Sequence, residues 1–236
     1  MHDIVRYELQ DGIATLTLDD GKANVMSVRM LQALNTALDR ALADQAVVVL
    51  TGRERMFSGG FDLSVFQRDK RELRDMLEAG ARLTERLLSH PRPVVAACSG
   101  HAVAMGVFLL LCADVRIGID EGARTQINEV QIGMTLPHFA IEVTRHRLAP
   151  THLHRAALMA TPYAPQEALA AGFFDAIVAP AALAEAARKQ AVALATLHAG
   201  AFAATKLRLH KETLEALRAG IAQDLAEWAA AYGQPA

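Results

Sequence analysis

A strand, a glycine turn and a helix occur in that order twice in this chain, over residues 46–89 and again over 94–113. Ala46 to Thr51 is a short apolar run of strand length, followed by Phe57-Ser58-Gly59-Gly60-Phe61-Asp62-Leu63 and a charged, amphipathic helical stretch from Phe66 to His90 that Pro91 ends. Val94 to Cys98 repeats the strand, Ser99-Gly100-His101 the turn, and Met105 to Ala113 the helix. Such a recurrence fits an α/β fold in two versions, a superhelix of ββα turns or an ordinary doubly wound sheet, and periodicity alone does not separate them.

The flanking segments set the rest of the order. Ile4 to Leu9 and Ile13 to Leu18 alternate apolar and polar residues around Asp11-Gly12, the pattern of an antiparallel hairpin. Ser27 stands where a helix cap belongs, before Val28, Leu31, Leu34, Leu38 and Leu42 at helical spacing. Val115 to Ile119 reads as a strand, Arg124 to Val130 as extended, and Ala176 to Val178 as a last short strand. Helices are expected over Pro137 to Arg147, Thr151 to Met159, Pro165 to Ala171 with Gly172 as its stop, Ala181 to Leu197, and an Ala-rich run to the C-terminus.

Composition narrows the function classes. With 236 residues and 52% hydrophobic content the chain can bury a full core. A net charge of −2 and 5% aromatic residues argue against a nucleic-acid partner. Cys98 and Cys112 both lie in apolar sequence and read as reduced, buried thiols of a cytoplasmic protein. Met1-His2-Asp3-Ile4 lacks the basic and apolar regions of a secretory signal. Val94 to Ala113 carries no formal charge over about the length that crosses a bilayer. Ser99-Gly100-His101 interrupts it, however, and strand, turn and helix are expected there in place of a membrane span.

The two turns are where chemistry can sit. Paired glycines let successive N–H groups face one concave side, which suits an anion or an oxyanion. The second turn leads into an uncharged helix whose first N–H groups, at Met105 and Gly106, have no side-chain cap in sequence. Ordinary turns and close helix packing explain each turn singly. Together, two backbone donors converging on one carbonyl oxygen stabilise an enolate or tetrahedral oxyanion by several kcal/mol, roughly, provided a base is near.

Over nearly its whole length the chain resembles the crotonase, or enoyl-CoA hydratase/isomerase, family. The resemblance is carried by Phe57 to Leu63, by Ser99-Gly100-His101-Ala102 through Gly106 and on to Ala113-Asp114, and by Asn128-Glu129 before Ile132-Gly133. It implies a spiral of ββα units over residues 1–180, a helical trimerisation region over 181–236, and a homotrimer or dimer of trimers. It also implies an acyl-CoA thioester substrate held at the Phe61 and Met105 N–H groups, with no separate cofactor. Hydratases of the family carry two glutamates. Here the first position is Phe108 and the second is Glu129, a pattern similar to the Δ3,Δ2-enoyl-CoA isomerase branch, with Pro137-His138-Phe139 in agreement. One carboxylate, desolvated among Ile127, Val130 and Leu136, suffices to move a proton from C2 to C4.

By the same resemblance Gly59, Gly60, Asp62, Gly106 and Phe108 belong to the substrate site, and Ala23 and Val25 line the channel for coenzyme A. Arg53 and Arg55 are candidates for its phosphates, and Lys206 for a neighbouring subunit's nucleotide. Phe66, Met76, Leu77 and Phe139 are candidates for the acyl pocket, although core packing explains each as well. His101 and His138 stand near the expected site, with backbone-bonded turn histidines as the plainer reading. His152 and His154 are two apart on an expected helix and face away from each other, so no metal site is expected.

Overall fold

The computed structural model describes residues 3–232. Met1 and His2, on which the expectation of no secretory signal partly rests, and residues 233–236, the end of the expected trimerisation region, lie outside the described residues.

The chain opens on the hairpin of β1 (Val5–Gln10) and β2 (Ile13–Leu18), closed by Asp11 and Gly12 at φ 52° and 73°, the left-handed pair that such a turn requires. Ser27 caps α1 (Val28–Ala43) by accepting the Met30 N–H at 3.2 Å. β3 (Val47–Gly52) returns parallel to β2. The chain then leaves this sheet. β4 (Arg55–Ser58) pairs instead with β6 (Gly100–Val103), and β6 with β8 (Thr125–Gln126), in a second, all-parallel sheet. β5 (Val94–Ala97), β7 (Val115–Ile119) and β9 (Ala176–Val178) complete the first sheet, whose order is β1-β2-β3-β5-β7-β9.

Each recurring unit therefore contributes one strand to each sheet before its helix: β3 and β4 before α2 (Lys70–Leu88), β5 and β6 before α3 (Met105–Leu111), and β7 and β8 before α4 (His138–Arg147). This is the ββα spiral and not a doubly wound sheet. Its corners depend on close backbone approach. A Cβ on Gly52 would stand 2.2 Å from the Met56 carbonyl oxygen, and one on Gly100 would stand 1.9 Å from the Arg55 carbonyl carbon. No side chain fits at either corner.

The elements after residue 60 differ in detail from the pattern in sequence. The Phe66 to His90 stretch begins as a 3₁₀ turn, Leu63–Gln67, and becomes α2 only after Asp69, whose carboxylate accepts the Arg71 and Glu72 N–H groups. The extended reading of Arg124 to Val130 holds for Thr125–Gln126 alone, because Val130–Ile132 turns as 3₁₀. Thr151 to Met159 is a 3₁₀ turn, Pro150–His152, followed by a π-helical turn, His154–Leu158. α5 (Pro165–Ala171) ends at Gly172 in the left-handed conformation, as expected. α6 (Leu183–Ala195) covers the first sheet, and the C-terminal run divides into α7 (Ala199–Leu209) and α8 (Lys211–Tyr232). The break falls at His210, a buried residue whose Nδ1 lies 3.1 Å from the Leu88 carbonyl oxygen.

The larger core joins Leu34, Leu50, Leu77, Phe108, Phe139, Leu217 and Ile221, so α8 closes the same core as the sheets. A smaller one lies between Val47, Val95 and Ile117 on the sheet and Leu183, Ala187 and Ala191 on α6. Among the described residues no helix is long and apolar enough to cross a membrane, and Val94 to Ala113 is β5, β6 and α3.

Candidate active site

The first glycine turn is laced to the loop between β2 and α1. Gly59 N–H donates to the Ala23 carbonyl at 2.8 Å, Met26 N–H to the Gly60 carbonyl at 2.8 Å, and the Ser58 hydroxyl to the Asn24 carbonyl at 2.8 Å. Asn24, fully buried at φ 50°, in turn donates through Nδ2 to the Leu18 carbonyl at 2.9 Å. Beside it, burial works to raise the Asp20 carboxyl, but N–H bonds from Asn24, Lys22 and Val25, with Arg53 nearby, hold it below the usual range. Among the described residues nothing accepts the Phe61 N–H.

The second turn supplies the other donor. Met105 heads α3, so its N–H has no acceptor within the helix, and Ala104 offers no side-chain cap. Ala104 itself sits at φ 49°, ψ −122°, a conformation that costs an L-residue on the order of 1–3 kcal/mol. It is held there from both sides: its N–H donates to the Gln126 carbonyl at 2.9 Å, and its carbonyl accepts the Val107 N–H at 2.8 Å. Nothing in the sequence marks Ala104, because alanine is not a turn former.

The two turns touch. Gly60 stands at φ 94°, and a Cβ there would lie 2.8 Å from Ala104 Cβ, 3.0 Å from the Val103 carbonyl oxygen and 3.5 Å from the Met105 nitrogen. Gly106 packs in the same way on Ser58, whose Cβ would be 2.7 Å from an added methyl group. Both glycines serve the approach of the turns.

Glu129 completes the arrangement. It precedes the Val130–Ile132 turn, and its carbonyl accepts the Ile132 and Met134 N–H groups at 3.1 and 2.9 Å. It is only 6% exposed, and its Oε2 is buried without a hydrogen-bond partner. Burial pushes its carboxyl up to about 7, against the opposing pull of the Glu129 and Asn128 N–H groups. Glu129 shares a narrow cavity of about 40 Å³ with Gly59, Phe61, Ala104 and Phe108, closed by Leu63, Phe66, Leu77, Ile132, Met134 and Pro137. Asn128, with an equally unpartnered Oδ1, is the other polar residue lining it.

Of the residues singled out in sequence, the structure thus brings together Gly59, Gly60, Phe61, Met105, Phe108 and Glu129, with Phe66 and Leu77 on the wall. Phe139 is not on the wall: it is fully buried behind Phe108, edge-on at 5.7 Å. Met76 belongs to the core. Asp62 caps the Leu63–Gln67 turn, accepting the Ser64 N–H at 3.0 Å and its hydroxyl at 2.7 Å. Arg53 donates to the Lys22 carbonyl at 2.7 Å, while Arg55 is exposed on β4. Ala23 spends its carbonyl on Gly59, and Val25 N–H donates to Asp20 Oδ2 at 2.9 Å, which leaves their half-buried side chains along the loop.

Lys206 is buried on α7 with Nζ 2.8 Å from Asp114 Oδ2, so its ammonium is spent within its own chain. His101 Nδ1 accepts the Arg124 N–H at 3.0 Å, the turn-histidine role. His138 stands 3.2 Å from Glu227, and His152 is 3.3 Å from the Tyr163 hydroxyl. His138, Asp224 and Glu227 bring ligand-type atoms within 4.8 Å of one another, but both Asp224 oxygens already accept N–H bonds, from His138 at 2.8 Å and Phe139 at 2.9 Å. Asp224 thereby caps α4 from α8.

A family model described as enoyl-CoA hydratase/isomerase matches residues 8–232. The chain belongs to the enoyl-CoA hydratase/isomerase family. A Mycobacterium tuberculosis structure described as a probable enoyl-CoA hydratase superposes with a TM-score of 0.94 at 44% identity, covering 98% of both chains. A second structure of the same Mycobacterium tuberculosis protein, described as an enoyl-CoA isomerase, gives a TM-score of 0.92 at 45% identity over 96% of this chain and 100% of that one. A Bacillus subtilis (strain 168) protein named as a probable enoyl-CoA hydratase is 32% identical over 132 residues, 54% of this chain and 50% of that protein. The match thus spans half the length of this curated relative. Within the enoyl-CoA hydratase/isomerase family the same Mycobacterium tuberculosis protein is thus described both as a hydratase and as an isomerase, and these names do not decide the reaction.

Proposed function

We propose that the protein converts 3-enoyl-CoA thioesters to their conjugated 2-enoyl isomers. The observation that carries this reading is that Glu129 is the one carboxyl-bearing residue lining the cleft, while Phe108 presents a hydrocarbon ring where a hydratase would carry its second acid. The Glu129 carboxylate takes a proton from C2, and the electron pair of that C–H bond spreads over the thioester oxygen and the C3–C4 double bond. The Phe61 and Met105 N–H groups hold the resulting dienolate oxygen. The protonated Glu129 returns its proton to C4, leaving the double bond between C2 and C3. A single carboxyl group with a pKa near neutrality serves both transfers.

Purified protein given 3-hexenoyl-CoA is expected to form the conjugated product, read by the ultraviolet absorbance of the 2-enoyl thioester, and Glu129→Gln is expected to abolish it. Full turnover by the Gln variant removes Glu129 from the reaction. Hydration is the second reading, favoured by the hydratase names among the relatives; supplied with 2-hexenoyl-CoA, an enzyme of that kind accumulates 3-hydroxyhexanoyl-CoA, whereas the isomerase leaves the thioester unsaturated.

A further inference from the structure

Gln126 touches both halves of the site without entering it. It is 3% exposed, the last residue of β8, and lies in sequence just before Asn128 and Glu129. Its main-chain carbonyl accepts the Ala104 N–H at 2.9 Å, one of the bonds that hold the strained peptide ahead of Met105. Its side-chain Nε2 donates to Gln131 Oε1 at 2.8 Å and to the Ala160 carbonyl at 2.7 Å. Gln131 is the middle residue of the 3₁₀ turn that follows Glu129, and Ala160, at φ 48°, closes the π-helical segment beneath it.

We infer that Gln126 is the positioning residue that fixes the distance between the Met105 N–H and the Glu129 carboxylate. The backbone of one residue is bonded to the donor turn and its side chain to the base-bearing turn through Gln131, so neither moves against the other without breaking a hydrogen bond made by Gln126. Proton transfer is sensitive to such displacements: a shift of about 1 Å in a reacting group costs up to roughly 100-fold in rate. An apolar strand residue at 126 would leave the buried Ala160 carbonyl without this donor and the Glu129 turn without its tie to β8. The kinetic consequence rests on the isomerase reading; the geometric one does not.

Gln126→Leu preserves volume and the main-chain bond to Ala104 but removes both side-chain bonds. It is expected to lower kcat on 3-hexenoyl-CoA by about 10-fold or more with KM changed less than about twofold, because the displaced group acts in the chemical step. Independently of turnover, the carbon-13 shift of a selectively labelled Glu129 carboxyl is followed against pH in both proteins, and its midpoint moves away from about 7 in the variant. Gln131→Ala, which removes only the exposed acceptor, gives a smaller change of the same sign in both readouts, and it carries the test alone if Gln126→Leu does not fold. Folded variants with the parental kcat and the parental Glu129 titration overturn the inference. A wild-type protein that turns over no 3-enoyl-CoA sinks the isomerase reading instead, and the carboxyl titration then still decides whether Gln126 positions Glu129.

Discussion

Phe108 stands edge-on to Phe139, ring centroids 5.7 Å apart and planes at 84°, and Phe139 is backed in the same manner by Trp228 of α8 at 6.4 Å. The wall of the cleft opposite in chemistry to Glu129 is thus the front of an aromatic stack that runs to the C-terminal helix. Placing a carboxylate at 108 buries an unpaired charge against Phe139. Phe108→Glu is expected to lower stability by about 3 kcal/mol in urea denaturation and to raise the Glu129 pKa further by like-charge repulsion. Isomerisation at pH 7 then falls relative to pH 9. An unchanged pH profile means that residue 108 and Glu129 do not share the cleft.

Glu129 makes the folded state pH-dependent in a definite direction. Its folded pKa, about 7, lies above the ordinary value of 4.5, so between those values the native state binds more protons than the unfolded one. Its contribution to stability is fully present below about pH 4.5 and is lost as pH rises through 7. Glu129→Gln is therefore expected to be more stable than wild type at pH 8, by about 2–3 kcal/mol, and about equal to it at pH 4.5. For the wild type, kcat/KM is expected to rise with an apparent pKa near 7 as Glu129 ionises in the free enzyme. Denaturant titrations at the two pH values test the first expectation and a kcat/KM profile the second.

Gly60 is the contact between the turns. Gly60→Ala places a methyl group 2.8 Å from Ala104 Cβ on a residue at φ 94°. It is expected to cost about 2 kcal/mol of stability. By spreading the two donors it also lowers kcat by about 100-fold or more, the order of magnitude for loss of one oxyanion donor. Parental kinetics in this variant would place the oxyanion donors elsewhere.

Lys206 and Asp114 form a buried pair, with side chains 4% and 14% exposed, that ties α7 to the strand leading out of α3. Lys206→Ala leaves Asp114 uncompensated and is expected to cost about 3 kcal/mol. Combining Lys206→Met with Asp114→Asn should cost less than half of that, because the charge is removed with its partner. In the double variant KM for the acyl-CoA stays within about twofold of wild type. A large rise in KM there, with stability kept, returns Lys206 to a role in substrate binding.

Much of the site was legible because its chemistry is local in sequence. Gly59-Gly60-Phe61 and Met105-Gly106 announce backbone donors by the residues that permit them, and Phe108 at the place where the family's hydratases carry an acid is visible without coordinates. Phe139 was read onto the cleft wall since an aromatic after a proline looks the same whether it faces a ligand or backs another ring. Asp62 comes to the site by resemblance and Arg53 by its charge, but the structure spends them on a helical cap and a loop carbonyl. Gln126 and Ala104 leave no mark in the sequence, because the bonds from Ala104 to Gln126 and from Gln126 to Ala160 join segments distant in the chain.

What the sequence determined by itself was the order of the main strands, turns and helices and the family, because periodicity, turn residues and side-chain chemistry are properties of short segments. Only the tertiary structure decided that β4, β6 and β8 leave the first sheet for a second one, since strands of two to four residues carry no period to read. The same departure swings Gly60 against Ala104 and sinks Glu129 into an apolar cleft. The rise of its carboxyl to about 7 follows from that burial, which no stretch of sequence contains.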